Sequence, residues 1–126
     1  MATIKSYTDL SQSKKLAEIL PLESADMYWD YDVQKHEHYL MVMDEQFDDT
    51  CVRAWSLAAL IEQLPYEVCD DDGNSSYLQM DKEDDVYQLV YTDPHGDFES
   101  IETDRYEHFV DACYEMIIKL SKLSLL

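Results

Sequence analysis

Asp104-Arg105-Tyr106-Glu107-His108-Phe109-Val110-Asp111-Ala112-Cys113-Tyr114-Glu115-Met116-Ile117-Ile118-Lys119-Leu120-Ser121-Lys122-Leu123-Ser124-Leu125-Leu126 is the stretch whose reading decides the fold. Tyr106, Phe109, Val110, Cys113, Met116, Ile117, Leu120 and Leu123 recur at steps of three and four, which places them on one stripe of an α-helix. Glu107, Asp111, Glu115, Lys119 and Lys122 lie opposite, acids early and lysines late, as the helix dipole favours. Asp104 and Glu107 have the spacing of a capping box, so the helix is predicted to begin there. A stripe this wide must be buried. The strand-like segments before it supply a surface, and the combination predicts an α+β fold.

Working outward, Val86–Thr92 alternates, with Val86 and Val90 on one face and Tyr87, Leu89 and Tyr91 on the other. Tyr77–Asp81 precedes it and Phe98–Glu102 follows, after a turn at Asp93-Pro94-His95-Gly96. These three runs predict a meander from Tyr77 to Glu102. Further upstream, Met27–Val33 places Met27, Trp29, Tyr31 and Val33 on one face and Tyr28, Asp30 and Asp32 on the other, a half-buried strand. His38–Met43 is apolar on both faces and reads as a central strand. The two predict a hairpin from Met27 to Met43.

Trp55–Leu64 has helical spacing, with Ser56 as N-cap, Trp55 and Leu60 as a hydrophobic staple, and Pro65 as its stop. Thr8 or Asp9 caps a first helix that Pro21 ends. The predicted order is α-β-β-α-β-β-β-α, one mostly antiparallel α+β domain over residues 1–126. In this reading the last helix packs on the sheet with the other two beside it. The alternative places hairpin and meander in separate small sheets.

Composition narrows the function. Twenty-eight acidic residues against nine basic ones give a formal charge of −19 over 126 residues. Direct binding to nucleic acid or to an anionic membrane through a basic patch is excluded, and a basic protein partner or cations are favoured. The same charge imposes self-repulsion. The 46% hydrophobic content supports a folded core. No apolar run is long enough to span a membrane, and Met1–Lys5 has no signal-peptide core. Three widely spaced cysteines, Cys51, Cys69 and Cys113, fit a reducing cytoplasm.

The chemistry-bearing patterns are weak. Asp70, Asp72 and Asn74 have the first three spacings of a calcium loop, but Ser75 and Asp81 stand where Gly and Glu belong. An exposed acidic turn is the expected reading. His36 and His38 share one strand face without a third ligand nearby in sequence. With two glycines, Gly73 and Gly96, a phosphate-cradling loop is not expected. No catalytic residue, metal site or cofactor is expected. Ten tyrosines against three phenylalanines suggest half-wet surfaces suited to recognition. The expected interaction surface comprises Tyr87, Tyr91, Asp81, Glu83, Asp84 and Asp85, with the Asp70, Asp71 and Asp72 turn.

Three segments carry a resemblance. Ser13–Pro21, Trp55–Pro65 and Val110–Leu120 resemble a family of short uncharacterised proteins found in gut bacteria and their prophage-like or mobile elements. Asp81–Asp104 resembles it least. The resemblance implies a cytoplasmic accessory protein with no activity to transfer. Three functions are weighed on the residues: a non-catalytic protein-binding module, from the tyrosines and the missing chemistry; a nucleic-acid mimic that blocks a basic site on a DNA-binding enzyme, from the charge; and a cation-binding or enzymatic role.

Overall fold

A computed structural model describes residues 5–97 and 99–126. The fold is α+β, with two antiparallel sheets ordered β2-β1-β3 and β4-β5-β6-β7. The described residues divide into two compact units, one spanning Tyr7–Gln63 and the other Leu64–Leu126 with Lys5 and Ser6.

In the 7–63 unit, Asp9 caps α1 (Leu10–Leu16) through a capping box with Gln12. Each partner satisfies a backbone N–H that the helix leaves open. The buried Thr8 ties this end together. Its Oγ1 lies 2.7 Å from Ser13 Oγ and accepts from Trp55 N–H at 3.1 Å. Trp55 is fully buried, and its Nε1 donates to Ser24 Oγ at 2.9 Å. The sheet consists of β1 (Met27–Asp32), β2 (Glu37–Val42) and β3 (Val52–Ala54). β1 lies between the other two, pairing Asp30 with Tyr39 and Trp29 with Leu40 on one side, and Trp29 with Val52 on the other.

Two expectations change here. β2 is an edge strand, because β3, too short to stand out in the sequence, takes the place beyond β1. In β1 the buried residue is Tyr28, on the face with Asp30 and Asp32, whereas Tyr31 and Val33 are exposed. Phe47 packs edge-on against Tyr28 at 5.4 Å and helps cover that face. Arg53 in turn lies over Phe47, 4.5 Å from its ring centre. The helix α2 (Leu57–Gln63) starts as read, since Ala59 N–H donates to Ser56 Oγ at 3.2 Å. Asp26 supports that cap by accepting from Ser56 N–H at 2.8 Å.

In the 64–126 unit, the sheet consists of β4 (Glu67–Cys69), β5 (Ser75–Glu83), β6 (Val86–Thr92) and β7 (Ile101–Glu102). The run read from the sequence as Val86–Thr92 is β6. It is central, and Leu89, Val90 and Tyr91 are buried in succession, so both faces are covered at its C-terminal end. Tyr91 donates its hydroxyl to Pro65 O at 2.5 Å. The expected last strand, Phe98–Glu102, shortens to two residues, and Phe98 lies outside the described residues.

α3 (Phe109–Lys122) lies against β6. Val110, Cys113, Met116, Ile117 and Leu120 are buried as the stripe requires, and Ala112 joins them. The predicted capping box does not form. Asp104 N–H donates to Glu115 Oε2 at 2.9 Å, and Tyr106 pairs with Tyr87 as a β-bridge, so the chain stays out of the helix through a bend at Glu107 and His108. The helix then begins at His108 without a side-chain cap. Its polar side is tied down by Lys5, 2.7 Å from Asp111, and by Lys119, which donates to Glu102 O at 2.6 Å. It ends with Ser124 in the left-handed region (φ 58°), where Leu125 N–H reaches Leu120 O at 2.9 Å. That is a Schellman closure with serine in the position that favours glycine.

Candidate functional site

The sequence-derived surface does not assemble into one site. The Asp70–Asp72 turn precedes β5, and Asp84 and Asp85 follow it. Nine residues of strand, at about 3.4 Å each, put roughly 30 Å between them. Tyr91 is buried in the core and leaves the recognition set altogether. Tyr87 is half-buried, with its ring 5.5 Å from Phe109 and Lys82 5.4 Å above it. Asp81 is exposed on β5, and Glu83 is engaged by Arg105 at 2.8 Å.

Much of the acid content shapes the chain. Asp32, Asp44, Asp48, Asp70 and Asp93 each accept from the backbone N–H two residues later, at 2.8 to 3.0 Å. These are Asx turns, in which the carboxylate completes a reversal that glycine or proline would otherwise set. In a chain with two glycines, aspartate does that work. The Thr50 hydroxyl and N–H hold Asp48 below its ordinary pKa. At Asp70 burial pushes the pKa up, but N–H donors from Asn74 and Asp72 outweigh it, and the net shift is downward. Gly73, with φ 83°, closes the Asp70 turn.

The exposed recognition chemistry lies elsewhere, on the β1–β2 hairpin. One face carries Tyr28, Asp30 and Asp32 from β1, beside Met41, Tyr39 and Glu37 from β2. Tyr39 donates its hydroxyl to Asp30 Oδ2 at 3.0 Å, which raises the tyrosine pKa and keeps the hydroxyl a donor. Tyr28 donates to Asp44 Oδ1 at 2.6 Å, and that bond, with burial, raises its pKa as well. The other face carries Trp29 and Tyr31 beside Leu40 and His38. Tyr31 stacks on His38 at 4.9 Å. Tyr31, Val33, Tyr39 and Val42 are all exposed, Val33 at 73% and Val42 at 68%. So apolar side chains and carboxylates alternate on an open ribbon. Sequence reading noticed the alternation in β1 but took β2 for interior.

Two open grooves accompany this. One, of about 980 Å³, is lined in the 64–126 unit by Asp70, Asp71, Glu102, Lys119, Lys122 and Leu123, acids and lysines together. The other, of about 340 Å³, lies beside α1 and β3 in the 7–63 unit. The three thiols are dispersed, Cys51 half-buried beside Asp48, Cys69 exposed and Cys113 buried. Cys113 is buried, and desolvation pushes its pKa up to about 12. Cys69 lies 3.6 Å from Glu67 Oε1 and 3.3 Å from Ser75 Oγ. Among the described residues no three His, Cys, Asp or Glu side chains converge to hold a metal ion. No helix among them is long and apolar enough to cross a membrane. No family model matches the chain, and neither a curated protein nor a solved structure does.

Proposed function

We propose that this protein is a non-catalytic protein-binding module whose partner presents a basic surface. The observation that carries the reading is the β1–β2 hairpin, where exposed Tyr31, Val33, Tyr39 and Val42 stand among Asp30, Asp32 and Glu37. Exposed apolar side chains supply area to bury, and the carboxylates select and steer a cationic partner. The resemblance carried by Trp55–Pro65 and Val110–Leu120 supports a role as a cytoplasmic accessory protein of a phage or mobile element. A nucleic-acid mimic would require carboxylates in a long regular row. On the outer part of β5 the row is Asp81 and Glu83 alone, about 6.8 Å apart, with Glu83 held by Arg105. That geometry favours protein binding over mimicry.

Affinity capture from a native bacterial lysate tests the reading. The expected result is a stoichiometric partner with a basic face that is released at about 0.5 M salt, where exposed charges are screened. Capture that yields no stoichiometric partner across salt and pH would sink it. A captured DNA-binding enzyme whose activity is inhibited, and restored by salt, would transfer support to the mimic.

A further inference from the structure

We propose that β2 is an open docking edge that receives an extended segment of the basic partner as a further strand of the sheet. The inference rests on the protein-binding reading above and adds the mode and the sequence pattern of the ligand. β2 pairs with β1 on one side and ends the sheet on the other. Six residues, Glu37–Val42, give an edge about 20 Å long. Edge strands are ordinarily blunted by lysine, proline, a bulge or a covering element. Glu37-His38-Tyr39-Leu40-Met41-Val42 contains neither lysine nor proline, and its register with β1 runs without interruption over six consecutive pairs.

In the other sheet the outer strands β4 and β7 span three and two residues, and where β5 runs on past β4, over Gln79–Glu83, the edge carries Lys82, one of the residues that blunt it. Along β2 the N–H and C=O groups that face away from β1 have no partner strand among the described residues and form a template for backbone pairing, and alternate side chains decide what pairs.

Charge identifies the occupant. A strand laid beside β2 has one face next to Glu37, Tyr39 and Met41, with Asp30 and Asp32 one strand further in. Lysine or arginine at alternate positions fits that face. Its other face lies next to His38, Leu40 and Val42, where aliphatic residues fit. A second copy of this chain is the wrong occupant, because pairing two β2 edges brings together two chains of formal charge −19. The structure thus assigns the partner segment an alternating basic–aliphatic pattern in extended conformation.

Two synthetic peptides test this against the full chain. One alternates lysine and valine; the other has the same sequence with every second backbone amide methylated, which keeps the charge and removes strand pairing. The expected result is at least about tenfold weaker binding of the methylated peptide, a difference of about 1.4 kcal/mol. With the unmethylated peptide bound, amide exchange should slow at the β2 N–H groups facing away from β1. Equal binding of both peptides overturns strand addition and leaves a purely electrostatic acidic module standing. Protection confined to the Asp70–Asp72 or Asp84–Asp85 turns does the same. Dimerisation of the chain alone through β2 overturns the choice of occupant. Absence of binding by either peptide overturns the inference, whereas the protein-binding reading itself fails only in the capture experiment.

Discussion

β2 and β6 are close in composition and opposite in circumstance. Both mix tyrosine with aliphatic residues, His38–Val42 in one and Tyr87–Tyr91 in the other. β6 has β5 and β7 on its two sides and α3 against it, and its Leu89, Val90 and Tyr91 are buried. β2 has one neighbour, and its Tyr39 and Val42 are open. Hydrophobic content thus states that a strand has surface to bury, not where that surface is buried. In β6 it is buried within its own unit; in β2 it is left for something else.

The largest test of the contrast removes a tyrosine from each strand. Tyr91→Ala should cost about 3–5 kcal/mol, as truncation of a fully buried aromatic does. Tyr39→Ala should stay within about 0.5 kcal/mol, as at an exposed site. Chemical denaturation of both variants measures this, and equal losses would break the comparison.

Alkaline pH sharpens it further. Burial raises the Tyr91 and Cys113 pKa values, and burial with the Glu115 hydrogen bond raises that of Tyr106, to about 12 for Cys113 and Tyr106. The neutral forms are favoured by folding. Their contribution is complete below the unfolded values, near 9 for the thiol and 10 for the phenols, and is lost as pH rises toward 12. Stability should therefore begin to fall near pH 9, and Cys113→Ala should delay the onset to about pH 10. In native protein at pH 8, a thiol reagent should label Cys69 quickly and Cys113 only as the fold opens; fast labelling of Cys113 would contradict its burial.

Buried hydroxyls separate the two units in sign. Thr8→Val strips partners from Trp55 N–H and Ser13, and should cost about 2 kcal/mol. Ser76 Oγ on β5 is buried without a partner among the described residues, so Ser76→Ala should gain about 1 kcal/mol. Thermal melts of the two variants should move in opposite directions. The smallest effects come from backbone strain. His36 in the hairpin turn and Ser124 after α3 adopt positive φ, and His36→Gly or Ser124→Gly should each gain about 0.5 kcal/mol.

How much was legible follows from the range of each interaction. The α3 stripe from Val110 to Leu120, Ser56 as a cap and the limits of β6 depend on residues within one or two turns and appear as read, whereas Tyr106 lies outside the helix and Leu123 is exposed. The Asp104 capping box failed because Tyr87 and Glu115 hold that segment out of the helix from a distance along the chain. β3 was missed because three residues carry no measurable period. The site set failed for a similar reason. Asp70–Asp72 and Asp84–Asp85 look alike as acidic runs, but the length of β5 parts them. The hairpin itself is legible from Met27 to Met43, but its pattern places Tyr31 on the apolar face and His38–Met43 in the interior, so the exposed surface was missed.

By itself, the sequence determined the α+β class, the amphipathic last helix, the acidic excess and the absence of the glycine-rich loops that cradle phosphates. These follow from composition and from periodicities that a short stretch of backbone imposes. Tertiary structure alone decided that β6 is interior and β2 an edge, that Tyr28 is buried and Tyr31 open, and that aspartates turn the chain as well as charge it. The physical reason is that burial and pairing belong to neighbours, and the neighbours of β1, β2 and β6 are chosen by contacts that no local pattern encodes.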